Sequence, residues 1–371
     1  LTENAPARQQ RGFCPTEDNV TMGAQMIRGT TMTSFHWRLI GMAALLLAAP
    51  TAAPAQTADF KGETISIIIG LPPGGGYDTY GRVLARHYGN HLPGNPNVVP
   101  KNMPGAGGLR TANYIYNVAP KDGSELGLFA SSAVMEPLMG NDQAKFDAAK
   151  YSWVGSMTQD IAFCGVWQGP GTAASFQDML SKETIFGSSG PAAITHQHPL
   201  VLGNLLGAKV KLISGYAGTK DINLAMERGE VNGTCGLFVS SIKAQWSREV
   251  QDGRLKLVVQ MGPRKSDEFG NVPSVYDLAK SDDDRKVLDL HFKQLLLSRP
   301  LIGPPGMRME RLAAMRKAFL DTLKDPTFLG DAQKANIDID PATGEQAEQM
   351  LLQFADFPKN VIDKAKAAIG R

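Results

Sequence analysis

Cysteine is nearly absent: three in 371 residues, too few for a disulfide framework and with spacing that is no metal motif. Aromatic residues make up only 7%, and neither sign of charge is in surplus, with 38 Lys and Arg against 36 Asp and Glu. A balance this close to neutral gives no electrostatic footprint for nucleic acid or an anionic membrane surface. Tracts of like charge are short; Asp282-Asp283-Asp284 reads as a solvated turn. No internal repeat is visible. The most apolar run, 39-LIGMAALLLAA-49, is too short and Ala-rich to span a bilayer comfortably.

That run has another reading. Arg28 and Arg38 precede it and 53-APA-55 follows, which is the layout of a secretory signal with a small-x-small cleavage site. Residues 1–55 are therefore expected to be a leader, with the signal peptide at about 26–55 and cleavage after Ala55. Residues before Met26 lack periodicity and read as an upstream extension, with Met26 or Met32 as the start. Cys14 would leave with the leader. Cys164 and Cys235 then form an even pair in an oxidising compartment, either disulfide-bonded or two buried free thiols.

The mature chain alternates strand, turn and helix. Thr64 to Ile69 is β-branched and apolar, a buried strand. Tyr80, Val83, Leu84 and Tyr88 recur at helical spacing. Val98-Val99, Leu126 to Ala130, Ile161 to Trp167, Thr184 to Phe186, Val210 to Ile213, Val231 to Gly236 and Leu255 to Gln260 read as further strands. Leu295 to Leu297 reads as a strand returning to the first unit. Met309, Leu312, Met315, Phe319 and Leu323 mark a helix with these residues facing inward. This alternation implies an α/β fold with parallel sheets.

Long Gly-rich turns fall where strands end and helices begin: 73-PGGGYD-78, 102-NMPGAGG-108 and 187-GSSGPAAIT-195. In open α/β sheets ligands bind at that edge. Glycine lets a ligand approach the backbone, and the first helical turn offers unpaired N–H groups and partial positive charge. Together these make an anion site that needs no lysine. Ser131, Ser132 and Asn102 would add donors from neighbouring turns. The plainer role for such glycines is tight turn geometry alone. Asp78, read as an N-cap, places a negative charge where an anion would sit.

Enzyme signatures are missing. The glycine spacing fits neither a dinucleotide fingerprint nor a P-loop, and Gly187-Ser188-Ser189-Gly190-Pro191 breaks the nucleophile-elbow spacing. His87 and His91, or His196 and His198, have ligand-like spacing but no accompanying third ligand; surface or capping roles fit them better. No cofactor is expected. The competing reading is an exported hydrolase using the region from Gly187 to His198, with Ser188 or Ser189 beside His196 or His198.

The order of motifs resembles the solute receptors of tripartite tricarboxylate transporters, the Bug family. The match runs nearly end to end: 72-PPGGGYD-78, 102-NMPGAGG-108, 119-APKDG-123, 187-GSSG-190 with Thr195-His196, Gly215-Tyr216, 229-GEVNG-233 and 303-GPPG-306. The resemblance implies a two-lobed, clamshell periplasmic-binding-protein architecture of type II kind. It assigns 56–160 and 292–371 to the first lobe and 161–291 to the second, with crossovers near Gln159-Asp160 and Phe292-Lys293. It implies a monomeric, non-enzymatic periplasmic receptor delivering a small organic carboxylate to membrane permease subunits. The ligand would lie between Gly74, Gly75, Gly76, Tyr77 and Asp78 on one side and Ser188, Ser189, Thr195, His196 and Tyr216 on the other. Tyr77, Met103 and Pro191-Ala192-Ala193 depart from the family pattern and bear on the ligand class; Tyr77 would wall the cleft or stack on an aromatic acid.

Overall fold

The structure, a computed structural model, describes residues 58–371. The leader, its cleavage site and Cys14 lie outside the described residues. Two sheets carry the fold. The first orders its strands β11-β4-β10-β3-β1-β2, and the second β7-β6-β8-β5-β9. The first-sheet strands are β1 (Thr64–Ile69), β2 (Asn97–Asn102), β3 (Glu125–Leu128), β4 (Ser152–Ser156), β10 (Pro300–Gly303) and β11 (Ala342–Thr343). The second has β5 (Ala162–Trp167), β6 (Thr184–Ser188), β7 (Val210–Ser214), β8 (Gly233–Phe238) and β9 (Leu255–Met261). The chain leaves the first sheet after β4 and returns at β10, which makes two lobes.

Local sequence explains the elements. In β1, Ile65, Ile67, Ile68 and Ile69 are all buried, so the strand is covered on both faces, as its unbroken apolar run requires. Helix α1 (Gly76–Tyr88) packs Tyr80, Val83, Leu84 and Tyr88 inward; each such burial contributes roughly 1.5–3 kcal/mol. The other main helices are α2 (Leu109–Asn117), α3 (Ile194–Asn204), α4 (Thr219–Glu227), α5 (Asp282–Phe292), α6 (Met309–Thr322), α7 (Pro326–Lys334), α8 (Gly344–Ala355) and α9 (Lys359–Ala368).

The sheets are mixed rather than parallel. β1 runs parallel to β2 and β3, and β6 to β7 and β8, as strand–helix–strand units dictate. β10 and β5 run antiparallel to their neighbours because they arrive from the other lobe and not through a helix packed on the same sheet. The expected strand at Leu295–Leu297 is a 3-10 turn, and the returning strand begins at Pro300. Asp282-Asp283-Asp284 is no solvated turn but the first turn of α5, where Asp284 is buried and pairs with Lys364 at 2.7 Å. Met309 starts α6 with its side chain in solvent, at the helix end where the inward stripe has not begun.

The end of the chain docks on helices of the second lobe. His291 Nε2 lies 3.0 Å from the Ala365 carbonyl oxygen, and Asn204 Nδ2 donates to that of Ala368 at 3.2 Å. Cys164 and Cys235 are register partners on antiparallel β5 and β8, Cα atoms 4.0 Å apart, and are disulfide-bonded. Among the described residues no helix is long and apolar enough to cross a membrane.

Candidate functional site

Three helix N-termini open onto one cavity of about 230 Å³ between the lobes. Gly75, Gly76 and Tyr77 of α1 come from the first lobe. Ala193, Ile194 and Thr195 of α3 and Gly218 to Asp221 of α4 come from the second. The first intrahelical bond of α1 is Thr79 N–H to Gly75 oxygen at 3.0 Å, so the N–H groups before it have no helical partner. In α3 and α4 the ladder begins at His196 and Asp221, again leaving the leading amides free of it. The result is a site of converging N–H groups and positive helix ends.

The lobes meet around it. Gly107 holds φ +69°, and a Cβ there would stand 2.6 Å from Ala193 N, so only glycine fits. Ser132 donates to the Ala192 carbonyl oxygen at 2.9 Å. Both contacts join the lobes beside the cavity.

Of the expected site residues, Gly75, Gly76, Tyr77, Ser189 and Thr195 line the cavity. The rest stand behind it. Asp78 is not the N-cap: Gly75 holds that position and Asp78 is the third helical residue. Its carboxylate turns back to accept from Gly74 N–H, Asn102 Nδ2 and Arg82 Nε, each at 2.9 Å. Burial raises its pKa, but Arg82, the Gly74 amide and Asn102 outweigh that and hold it below the usual carboxylate range. Asp78 therefore shapes the glycine turn and sends no charge into the cavity. Asn102 also donates to Leu71 oxygen at 2.9 Å, bracing the same turn. Ser131 is buried beside Tyr77, and Tyr216 lies outside the lining.

Ser188 Oγ and His196 Nδ1 are 2.9 Å apart, but neither lines the cavity. Ser188 Oγ also accepts from Gly190 N–H at 3.2 Å, so the pair braces the turn before α3. Burial and then the Arg371 charge lower the His196 pKa. Ser189 N–H donates to Thr195 Oγ1 at 3.1 Å, fixing the loop onto its helix. His198 is fully buried against Phe292, ring centroids 4.9 Å apart. His87 and His91 pair with Asp331 and Asp325 at 3.1 and 2.9 Å, tying α1 and its end to α7. Among the described residues no group of three His, Cys, Asp or Glu is placed to hold a metal.

Sequence reasoning missed two parts of the site. One is the third helix mouth, signalled only by Gly218 before Thr219. The other is Arg299, which lines the cavity from the start of β10 and is 0% exposed. Its signal was an arginine set between the apolar runs Leu295–Leu297 and Leu301-Ile302.

No family model matches the chain. A UPF0065 protein of Cupriavidus necator, named for the gbd 5' region, is 26% identical over 341 residues, 88% of this chain and 92% of the relative. The chain is similar to this UPF0065 protein over most of both lengths. Its fold is that of the TctC/Bug periplasmic binding proteins. The structure of periplasmic binding protein BugD superposes with a TM-score of 0.64 at 16% identity, covering 83% of this chain and 98% of BugD. MatC from Rhodopseudomonas palustris with bound malate gives 0.63 at 15% identity, covering 84% and 100%. The expected two-lobed architecture is thus that of the Bug receptors.

Proposed function

We propose that the chain is a periplasmic solute-binding receptor, not an enzyme. It captures a small carboxylate between its lobes and presents it to a tripartite tricarboxylate-type permease. One observation carries this reading: helix N-termini from both lobes share a single cavity between them, a geometry suited to an anion. The likeness to MatC, which binds malate, supports a carboxylate. The leader at 1–55, the monomeric state and the permease partner are parts of the same proposal.

Capture would work by hinge closure at the crossovers 157–161 and 292–299, driven by the ligand's higher affinity for the closed form. The Ser188–His196 pair faces its own turn and not the cavity, which favours binding over hydrolysis. The test is a thermal-shift screen of mono-, di- and tricarboxylates on the mature protein. An acid at a hundred times its Kd stabilises by about 2.7 kcal/mol. A flat response across the whole panel rejects the reading.

A further inference from the structure

We propose that Arg299 anchors the ligand's carboxylate and that the ligand is a small monocarboxylate with a largely apolar, otherwise uncharged body. The proposal rests on the receptor reading above and narrows it.

Arg299 has no exposed surface, and its guanidinium is packed among aromatic rings. The centroids of Phe238, Tyr77 and Tyr80 lie 4.2, 4.3 and 4.9 Å from its central carbon. With the rings against it, hydrogen bonding is left to the edges of the fork. Nη1 donates to the Ser298 carbonyl oxygen at 2.9 Å, and Nε has no partner. Among the described residues Arg299 makes no ion pair. Its Nη2 lies 3.4 Å from where a Cβ on Gly76 would stand, beside the first residue of α1. Arg299 Nη2 and the N-terminus of α1 thus stand side by side in the cavity wall, and no carboxylate of the described residues is paired with the guanidinium. A buried charge in that state is costly unless a partner arrives.

Asp160 does not fill this role. Its carboxylate accepts from Ile161 N–H at 2.8 Å and from Ser240 Oγ at 3.2 Å, and it acts on Arg299 only through space. Lys220, the other cation of the lining, is exposed at the α4 end and followed by Asp221. Arg299 is therefore the one buried cation of the lining, its charge offset only through space by Asp160. Beyond Arg299 the lining mixes apolar side chains, Leu71, Pro72, Ala130 and Ile194 among them, with the hydroxyls of Ser189, Thr195, Thr219 and Ser241. A second carboxylate would find hydroxyls and main-chain amides but no second buried cation. The free amides of α3 and α4 suit a neutral acceptor such as a hydroxyl or carbonyl oxygen. At about 230 Å³ the cavity lies below the roughly 300–1,000 Å³ of typical ligand pockets, which favours a small acid.

The test is calorimetry on the mature protein with matched probes. Hexanoate and benzoate are the monocarboxylates, hexanamide and benzamide their uncharged counterparts, and adipate and malate the dicarboxylates. We expect the amides to bind about 100-fold more weakly than the acids, and the dicarboxylates at least about 10-fold more weakly. Arg299→Met should lower monocarboxylate affinity about 100-fold, with Arg299→Lys recovering part of the loss. Equal binding of amide and acid, or unchanged binding by Arg299→Met, overturns the anchor. Tighter binding of adipate than hexanoate overturns the single-charge class while leaving the receptor reading intact. If no carboxylate of the wider panel binds the wild type, the receptor reading itself fails. Should Arg299→Met not fold, the amide comparison on wild type decides the matter alone.

Discussion

Ser132 donates its hydroxyl to the carbonyl oxygen of Ala192 across the cleft, at 2.9 Å. Beside it, the missing side chain of Gly107 leaves room for the backbone of Ala193. The two contacts fix how closely the lobes approach.

Gly107→Val should wedge that contact open. A Cβ 2.6 Å from Ala193 N, on a residue at φ +69°, must push the lobes apart or strain the turn. We expect ligand affinity to fall at least about 10-fold, since closure is what the ligand selects. Small-angle scattering checks it: the wild type should compact on adding its acid and the variant should not.

The Cys164–Cys235 bond closes 71 residues of chain. In the chain-entropy account such a link contributes about 4 kcal/mol by restricting the unfolded state. Replacing both cysteines with alanine should lower the melting temperature by roughly 5–10 °C. Affinity should hold, because neither cysteine lines the cavity. Calorimetric melts of the two proteins decide it.

Two buried histidines should govern acid stability. Burial and then the neighbouring His291 push His198 down to about 3, and burial chiefly lowers His291 to about 4. Both folded values lie below the unfolded 6.5, so between about 4 and 6.5 the unfolded chain binds more protons. Their contribution is full above pH 6.5 and is lost as pH falls. Asp160 opposes this: burial raises it to about 6, so it costs stability as pH rises from 3.8 through that value. Neither nitrogen of His198 has a partner. His198→Leu should therefore fold well at pH 7 and lose about 2 kcal/mol less than wild type on moving to pH 5. Urea melts at both values measure the difference.

The last residue of the chain should matter to stability. Arg371 Nη2 donates to Glu136 Oε2 at 2.8 Å, and the Glu136 side chain has no exposed surface. Gln197 Nε2 at 2.6 Å and Asn141 complete its bonds. Arg371→Ala leaves that carboxylate without its cation and should cost about 3 kcal/mol. A chemical-denaturation curve unchanged by the substitution would reject this.

Glycine made much of the fold and part of the cleft legible. Gly74 to Gly76 and Gly187 to Gly190 announced backbone approach at strand-to-helix junctions, and Gly74 at φ +83° and Gly190 at φ +132° hold conformations that few other residues tolerate. Periodicity found the buried faces of β1 and α1. The failures have one physical origin: direction and partner choice are not local. Asp78 looked like a cap because its sequence neighbours fit one, yet Asn102 and Arg82 converge on its carboxylate. Leu295 to Leu297 has strand-like composition but lies in the crossover, where turning wins over pairing. Arg299 reaches Tyr77 only after more than half the chain has intervened, and no window of sequence contains both.

The cradle formed by α1, α3 and α4 is made mostly of main chain. Substituting side chains around it removes few of its donors, so an alanine scan through the cleft should find a largely silent surface punctuated by Arg299. Such a receptor can exchange its wall residues, and hence its cargo, without rebuilding the means by which it grips.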